Sequence, residues 1–169
     1  EEGGYCIPAF NVYNTETIMG VIKAAEEAKA PVIIQVYPRL VNEEVGYYLA
    51  PAILAAAKKA TVPVCFHLDH GPSELEAQKI LYWGATGIMY DGSVLTYEEN
   101  LENTKKAVAM AAQYGASVEA ELGSMGKREN GDGDGSEDDT KIYTDAVQAG
   151  AFVKETGIAA LACSFGTTH

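Results

Sequence analysis

Short apolar runs alternate with longer amphipathic stretches along this chain. The apolar runs fall at residues 6–12, 32–36, 64–68, 87–90, 117–121 and 159–165, and they are rich in Val, Ile, Phe, Tyr, Ala and Cys. Most are apolar nearly throughout, the pattern of parallel strands covered on both faces. The stretches between them read as helices. Residues 15–30 place Ile18, Val21, Ile22 and Ala25 on one face. Residues 43–60 form a second helix, with an interruption expected at Pro51, because proline has no N–H to give the preceding turn. Residues 73–83 open with Ser73 and Glu76 at capping-box spacing and close at Gly84. Thr96 and Glu99 repeat that box before a helix running to Tyr114 and Gly115, and residues 144–156 form the last helix, stopped by Gly157.

The order is therefore strand–helix five times, then a sixth strand. Such alternation implies a parallel sheet with right-handed crossovers. Two architectures fit: a doubly wound sheet and a (β/α)8 TIM barrel. The first strand is not followed by G-x-G-x-x-G, which removes support for the dinucleotide-binding version of the former. A barrel makes a further demand, that chemistry collect where strands end and βα loops begin.

The polar residues meet it. The third strand runs into His67-Leu68-Asp69-His70-Gly71, and the first ends at Asn11. Asp91 follows the fourth, Glu119 and Glu121 close the fifth, and the sixth runs into Gly166-Thr167-Thr168-His169. All three histidines of the chain belong to this set. A histidine at a strand end is a natural zinc ligand, since neutral imidazole binds through one nitrogen and is oriented through the other. Asp69 beside it is a candidate acid/base. His67 should share the inward face of Asp69, one step deeper, as a hydrogen-bonded interior histidine. Spacing alone does not join His70 to His169, but converging strand ends in a barrel would, with Asp91 and Glu121 at the same mouth. The alternative for those two acids is loop capping.

Composition narrows the setting. The 169 residues suffice for one domain, 1–169, with a real core. Apolar residues make up 47% and charged residues 21%, which is ordinary globular usage. A net charge of −12, from 24 acidic and 12 basic residues, argues against nucleic acid or an anionic membrane as a bulk-charge partner. It leaves room for a small anionic substrate held by local groups. Cys6, Cys65 and Cys163 are odd in number and widely spaced, as expected of free thiols in a reducing compartment. No segment approaches the roughly 18 continuous apolar residues of a membrane span, and no signal peptide opens the chain, so the cytoplasm is expected. The start carries no Met, and residues are expected to be missing upstream. Asn130, Asp132, Asp134, Gly135, Ser136 and Asp138 imitate a calcium loop, but the position that needs a bidentate Glu is Lys141. Residues 123–140 are expected to form a mobile acidic loop instead.

On Pro8-Ala9-Phe10-Asn11-Val12, His67-Leu68-Asp69-His70-Gly71, Asp91, Val118-Glu119-Ala120-Glu121-Leu122-Gly123 and Phe165-Gly166-Thr167-Thr168-His169, the chain resembles the class II, metal-dependent fructose- and tagatose-bisphosphate aldolases. The pieces stand in family order and spacing across essentially the whole chain. The resemblance implies a TIM barrel of which about six of eight strands are present. It implies a catalytic Zn2+ held by His70 and His169, with Asp91 and Glu121 at a neighbouring or alternative position for a second divalent or monovalent cation. Asp69 would be the acid/base at the substrate's C4 oxygen, Glu129 would move the proton on the dihydroxyacetone phosphate carbon, and Asn11 would lie near the substrate. The implied partner is a small sugar bisphosphate, and the implied assembly a homo-oligomer. The residues agree with this chemistry. Retro-aldol cleavage leaves an enediolate that needs an electrophile, and no Lys for a Schiff base occurs in any strand, so a Lewis-acid metal fills the role.

The family's third zinc-binding His and its phosphate-gripping Gly and Ser residues would lie beyond His169. Tyr37-Pro38-Arg39 replaces the small Ser- or Gly-containing turn common after the second strand, and Arg39 reads equally as a phosphate grip or a surface residue. Two other functions compete with an aldolase: a non-catalytic sugar-phosphate-binding barrel, and another metal-dependent barrel lyase. Asp69 and Glu129 favour an enzyme, since binding alone needs neither.

Overall fold

A computed structural model describes residues 3–123 and 143–165. Six parallel strands form one sheet in the order β1-β2-β3-β4-β5-β6, the order of the chain. They are β1 (Ala9–Asn11), β2 (Val32–Val36), β3 (Val64–Gly71), β4 (Gly87–Tyr90), β5 (Ser117–Leu122) and β6 (Ala160–Cys163). The helices are α1 (Thr15–Ala28), α2 (Pro38–Asn42), α3 (Glu44–Lys59), α4 (Glu74–Tyr82), α5 (Tyr97–Ala112) and α6 (Ala146–Thr156). Among the described residues each strand pairs only with its sequence neighbours. With the alternating helices this is a partial (β/α)8 barrel, as the alternation predicts.

The local signals explain most of the elements. Asn14 caps α1 and shares a full capping box with Thr17, and Thr96 and Glu99 form the box expected for α5. Ser73 caps α4 by accepting from the Leu75 N–H, while its hydroxyl turns to the Glu76 carboxylate. Pro38 opens α2 at a position whose N–H would have no helical partner in any case. The interruption expected at Pro51 does not occur, and α3 runs through it. Pro51 and Tyr47, whose carbonyl loses the bond, are both exposed, so the lost bond falls on the solvent side of the helix, where it is least costly. β1 is shorter than the apolar run 6–12, and Cys6 and Ile7 are exposed. β3 is longer than its apolar run, and takes in Asp69, His70 and Gly71.

One face of the sheet packs on the helices. Ile34, Phe66, Leu68, Ile88, Val118 and Ala120 bury there with Ile53, Ile80, Leu81, Ala111 and Phe152. Full burial of one such large side chain is worth about 1.5–3 kcal/mol, so this layer anchors the strands whose ends carry the site. Among the described residues no helix is long and apolar enough to cross a membrane.

Candidate active site

Asp69 and His70 are adjacent in β3, and strict alternation would send their side chains to opposite faces. His70 escapes this by taking φ +49°, a left-handed conformation that costs a non-glycine residue on the order of 1–3 kcal/mol. The β3–β4 register shifts between Leu68 and Gly71. The irregularity re-aims His70, and both residues line one cavity of 580 Å³ at the C-terminal ends of the strands. Gly71 makes the bulge possible, because a Cβ there would lie 2.5 Å from Leu68 Cδ2 and 2.8 Å from the Met89 carbonyl oxygen.

Asp69 is held by two amides. Asn11 Nδ2 donates to Oδ2 at 2.8 Å and Gln35 Nε2 to Oδ1 at 2.6 Å. The Asn11 nitrogen must face the carboxylate, which leaves Asn11 Oδ1 buried without a hydrogen-bond partner among the described residues.

Next to this pair lies a more acidic group. His70 Nδ1 is 2.8 Å from Asp91 Oδ2 and 3.6 Å from Glu121 Oε2. One donor atom each from His70, Asp91 and Glu121 fall within 4.8 Å of one another. Burial alone would raise the Asp91 carboxyl, but hydrogen bonds from His70 and from the Ser93 hydroxyl and amide outweigh it and hold the pKa at about 2. The same His70–Asp91 bond raises the imidazole above its ordinary value, against burial. Glu121 is pushed up, by burial first and by the Asp91 charge next. It is 2% exposed, and its Oε2 has no hydrogen-bond partner among the described residues. A buried carboxylate oxygen without a donor is costly. One imidazole and two carboxylates, one of them with an unpartnered oxygen, are a donor set that fits a divalent cation.

His67 sits one step deeper, on the Asp69 side of the strand, and is buried. Its Nε2 lies 3.2 Å from Glu119 Oε2, an ion-pair distance without good hydrogen-bond alignment. Burial would lower its pKa, yet the neighbouring Cys65 thiol and Glu119 carboxylate raise it to about 9. Gly87 leaves it room, as a Cβ there would lie 2.6 Å from Nδ1.

Five residues singled out in the sequence thus meet at one mouth: Asn11, Asp69, His70, Asp91 and Glu121. Glu129, His169 and nearly all of the acidic loop lie outside the described residues. The ends of that segment are close together, because the Thr144 hydroxyl donates to the Leu122 carbonyl and accepts from Ser164 N at 2.8 Å. Sequence reasoning missed Gln35 and Ser93. Gln35 was findable as the one polar residue inside the apolar run 32–36. Ser93 had no signal beyond standing two residues after Asp91.

Comparisons with known proteins converge. The family described as "Fructose-bisphosphate aldolase class-II" matches residues 1–169. A fructose-bisphosphate aldolase of Stutzerimonas stutzeri is 37% identical over 99% of this chain and 52% of its own length. A sulfofructosephosphate aldolase of Alkalicoccus urumqiensis is 38% identical over 98% of this chain and 57% of its own. The crystal structure of the YdjI aldolase from Escherichia coli K12 superposes with a TM-score of 0.86 at 39% identity, covering 99% of this chain and 59% of that one. The chain therefore spans a little over half the length of these relatives.

Proposed function

Since the chain belongs to the class II fructose-bisphosphate aldolase family, we propose that the protein is a metal-dependent aldolase cleaving a ketose 1,6-bisphosphate, of fructose or tagatose type, into dihydroxyacetone phosphate and glyceraldehyde 3-phosphate. The observation that carries this reading is the pairing of a tethered carboxylate, Asp69, with the cation-type donor set of His70, Asp91 and Glu121 on one cavity wall. A divalent cation bound there, zinc on the family's precedent, supplies Lewis acidity to the enediolate oxygens left by cleavage. On the resemblance, His70 and His169 would hold the catalytic ion, with Asp91 and Glu121 at a neighbouring or alternative position.

Asp69 takes the proton of the C4 hydroxyl in the cleavage direction and returns it in condensation. The amides of Asn11 and Gln35 fix both carboxylate oxygens, so the acceptor is set before substrate arrives. Glu129 would handle the proton on the dihydroxyacetone phosphate carbon. The remaining half of the substrate would lie toward β1 and β2. There a second cavity of 200 Å³ shares Asn11 and Tyr37 with the first and adds Arg39. Arg39 pairs at 3.7 Å with Glu43, and its side chain is 79% exposed. An exposed pair is weak and yields readily to a phosphate.

Assays of cleavage of both bisphosphates with and without chelator test the proposal. The purified protein should cleave one of them and lose that activity to chelator. Asp69→Ala should keep its metal and lose about 10²–10⁴ in turnover, whereas His70→Ala should lose metal and activity together. Asp69→Ala protein isolated without metal would instead make Asp69 a ligand or its support, and the assigned base would be wrong.

A further inference from the structure

We infer that Asn100, which does not line the cavity, is the positioning residue that sets Asp91 and Glu121 at the spacing a cation needs. The inference rests on the metal-site reading above.

Asn100 lies in the first turn of α5, four residues after the Thr96 cap. It is 2% exposed, a rare degree of burial for an amide outside a hydrogen-bonded role. Its two ends serve two different segments. Nδ2 donates to the main-chain carbonyl of Glu121 at 2.8 Å. Oδ1 accepts from the Thr104 hydroxyl at 3.1 Å, one helical turn on, and the Glu121 carbonyl, which can only accept, fixes which end of the amide points where. The same Oδ1 packs against Gly92, where a Cβ would lie only 2.2 Å away.

The consequence is geometric. Glu121 ends β5, and Gly92 separates Asp91 from Ser93, whose amide and hydroxyl both bond Asp91 Oδ1. One amide therefore clasps the backbone under Glu121 and abuts the turn that aims Asp91. The two carboxylates come from neighbouring strands and repel each other, and burial worsens that repulsion for Glu121. Without a fixed support they would relax apart until a cation drew them together, and binding would then bear the cost of ordering both. Asn100 makes that ordering part of folding. α5 itself is anchored by buried Ala107 and Ala111 and by its capping box, so the support is rigid.

The test measures zinc affinity by competition with a chromophoric chelator on the purified protein and its variants. Asn100→Asp removes the donor at nearly constant volume, and Asn100→Leu removes it with the same branching and number of side-chain heavy atoms. Gly92→Ala strikes the other end of the same contact and carries the test if the Asn100 variants do not fold. Ala111→Gly loosens α5 without touching either segment and reports a purely structural loss. Expected are zinc dissociation constants raised about 10–100-fold, the size seen for supports of metal ligands, in the Asn100 and Gly92 variants, with unchanged stoichiometry at saturation. Ala111→Gly should lower the unfolding midpoint while keeping wild-type affinity. Folded Asn100 or Gly92 variants with wild-type affinity would overturn the inference alone. A similar loss of affinity in Ala111→Gly would do so too, by showing that general loosening suffices. Wild-type protein that binds no zinc would overturn the metal-site reading and this inference with it.

Discussion

His67 shows how much a single interior position can carry. It is buried between Cys65 and Glu119, and its pKa is raised to about 9 from an ordinary 6.5. A raised folded-state pKa means that the folded protein holds the proton more tightly than the unfolded chain does. The resulting stabilisation is complete below pH 6.5 and fades as pH climbs through 9. The shift from 6.5 to about 9 bounds it at roughly 3–4 kcal/mol. Urea unfolding of wild type and His67→Gln across pH 6–10 should show a gap that is widest at the acidic end and closes toward the alkaline end. A gap independent of pH would assign His67 a packing role only. Arg39 offers a second test at this scale. If it meets the substrate's far phosphate, Arg39→Gln should raise KM for a ketose 1,6-bisphosphate about tenfold or more, the scale of one charge-assisted hydrogen bond. It should leave KM for the matching 1-phosphate unchanged. Equal effects on both substrates would return Arg39 to the surface.

At the level of elements, the site depends on one irregularity in one strand. The left-handed His70 and the register shift beside it turn two consecutive side chains to the same mouth. Gly71→Ala should force its new Cβ into Leu68 and the Met89 carbonyl. Overpacking of this kind costs about 1–3 kcal/mol, and the unfolding midpoint should fall accordingly. Metal affinity should fall with it, since His70 rides on the same bulge, and chelator competition on the folded variant checks this. The bulge also marks the limit of what the sequence reveals. Strand order, helix starts at Ser73 and Thr96, and the gathering of Asn11, Asp69, His70, Asp91 and Glu121 were all legible, because apolar period and strand-end position are properties of the chain itself. The device that lets Asp69 and His70 point the same way was not, since nothing in His-Leu-Asp-His-Gly announces a left-handed histidine. Gln35 and Asn100 stayed hidden for a related reason. Each bonds a partner more than twenty residues away in the chain, and only the register of the folded sheet brings those partners near. Pro51 misled in the other direction, because the lost bond falls on the exposed face of α3, where it is least costly.

For the molecule as a whole, the ligand groups come from three neighbouring strands. His70, Asp91 and Glu121 stand at the C-terminal ends of β3, β4 and β5, while the opposite face of those strands carries the apolar layer of Phe66, Leu68, Ile88, Val118 and Ala120. A cation shared by these ends, as proposed, would tie together strands that the core ties from behind. Glu121 has a buried oxygen without a hydrogen-bond partner among the described residues and a raised carboxyl pKa, both of which oppose the folded state. On the proposed metal site, a divalent cation should therefore stabilise the whole domain. Binding to the native state alone adds RT ln(1 + [L]/Kd), about 2.7 kcal/mol at a hundredfold excess over Kd, enough to lift the unfolding midpoint by several degrees. Differential scanning calorimetry of chelated and zinc-loaded protein should show that rise. Glu121→Gln should behave in the opposite sense. Without metal it should be as stable as wild type or more so, because it no longer buries an undonated carboxylate, and zinc should raise its midpoint little. A zinc-induced rise of wild-type size in Glu121→Gln would mean that the stabilising cation sits elsewhere. A Glu121→Gln protein that is less stable than chelated wild type would mean that the carboxylate is already satisfied without the ion.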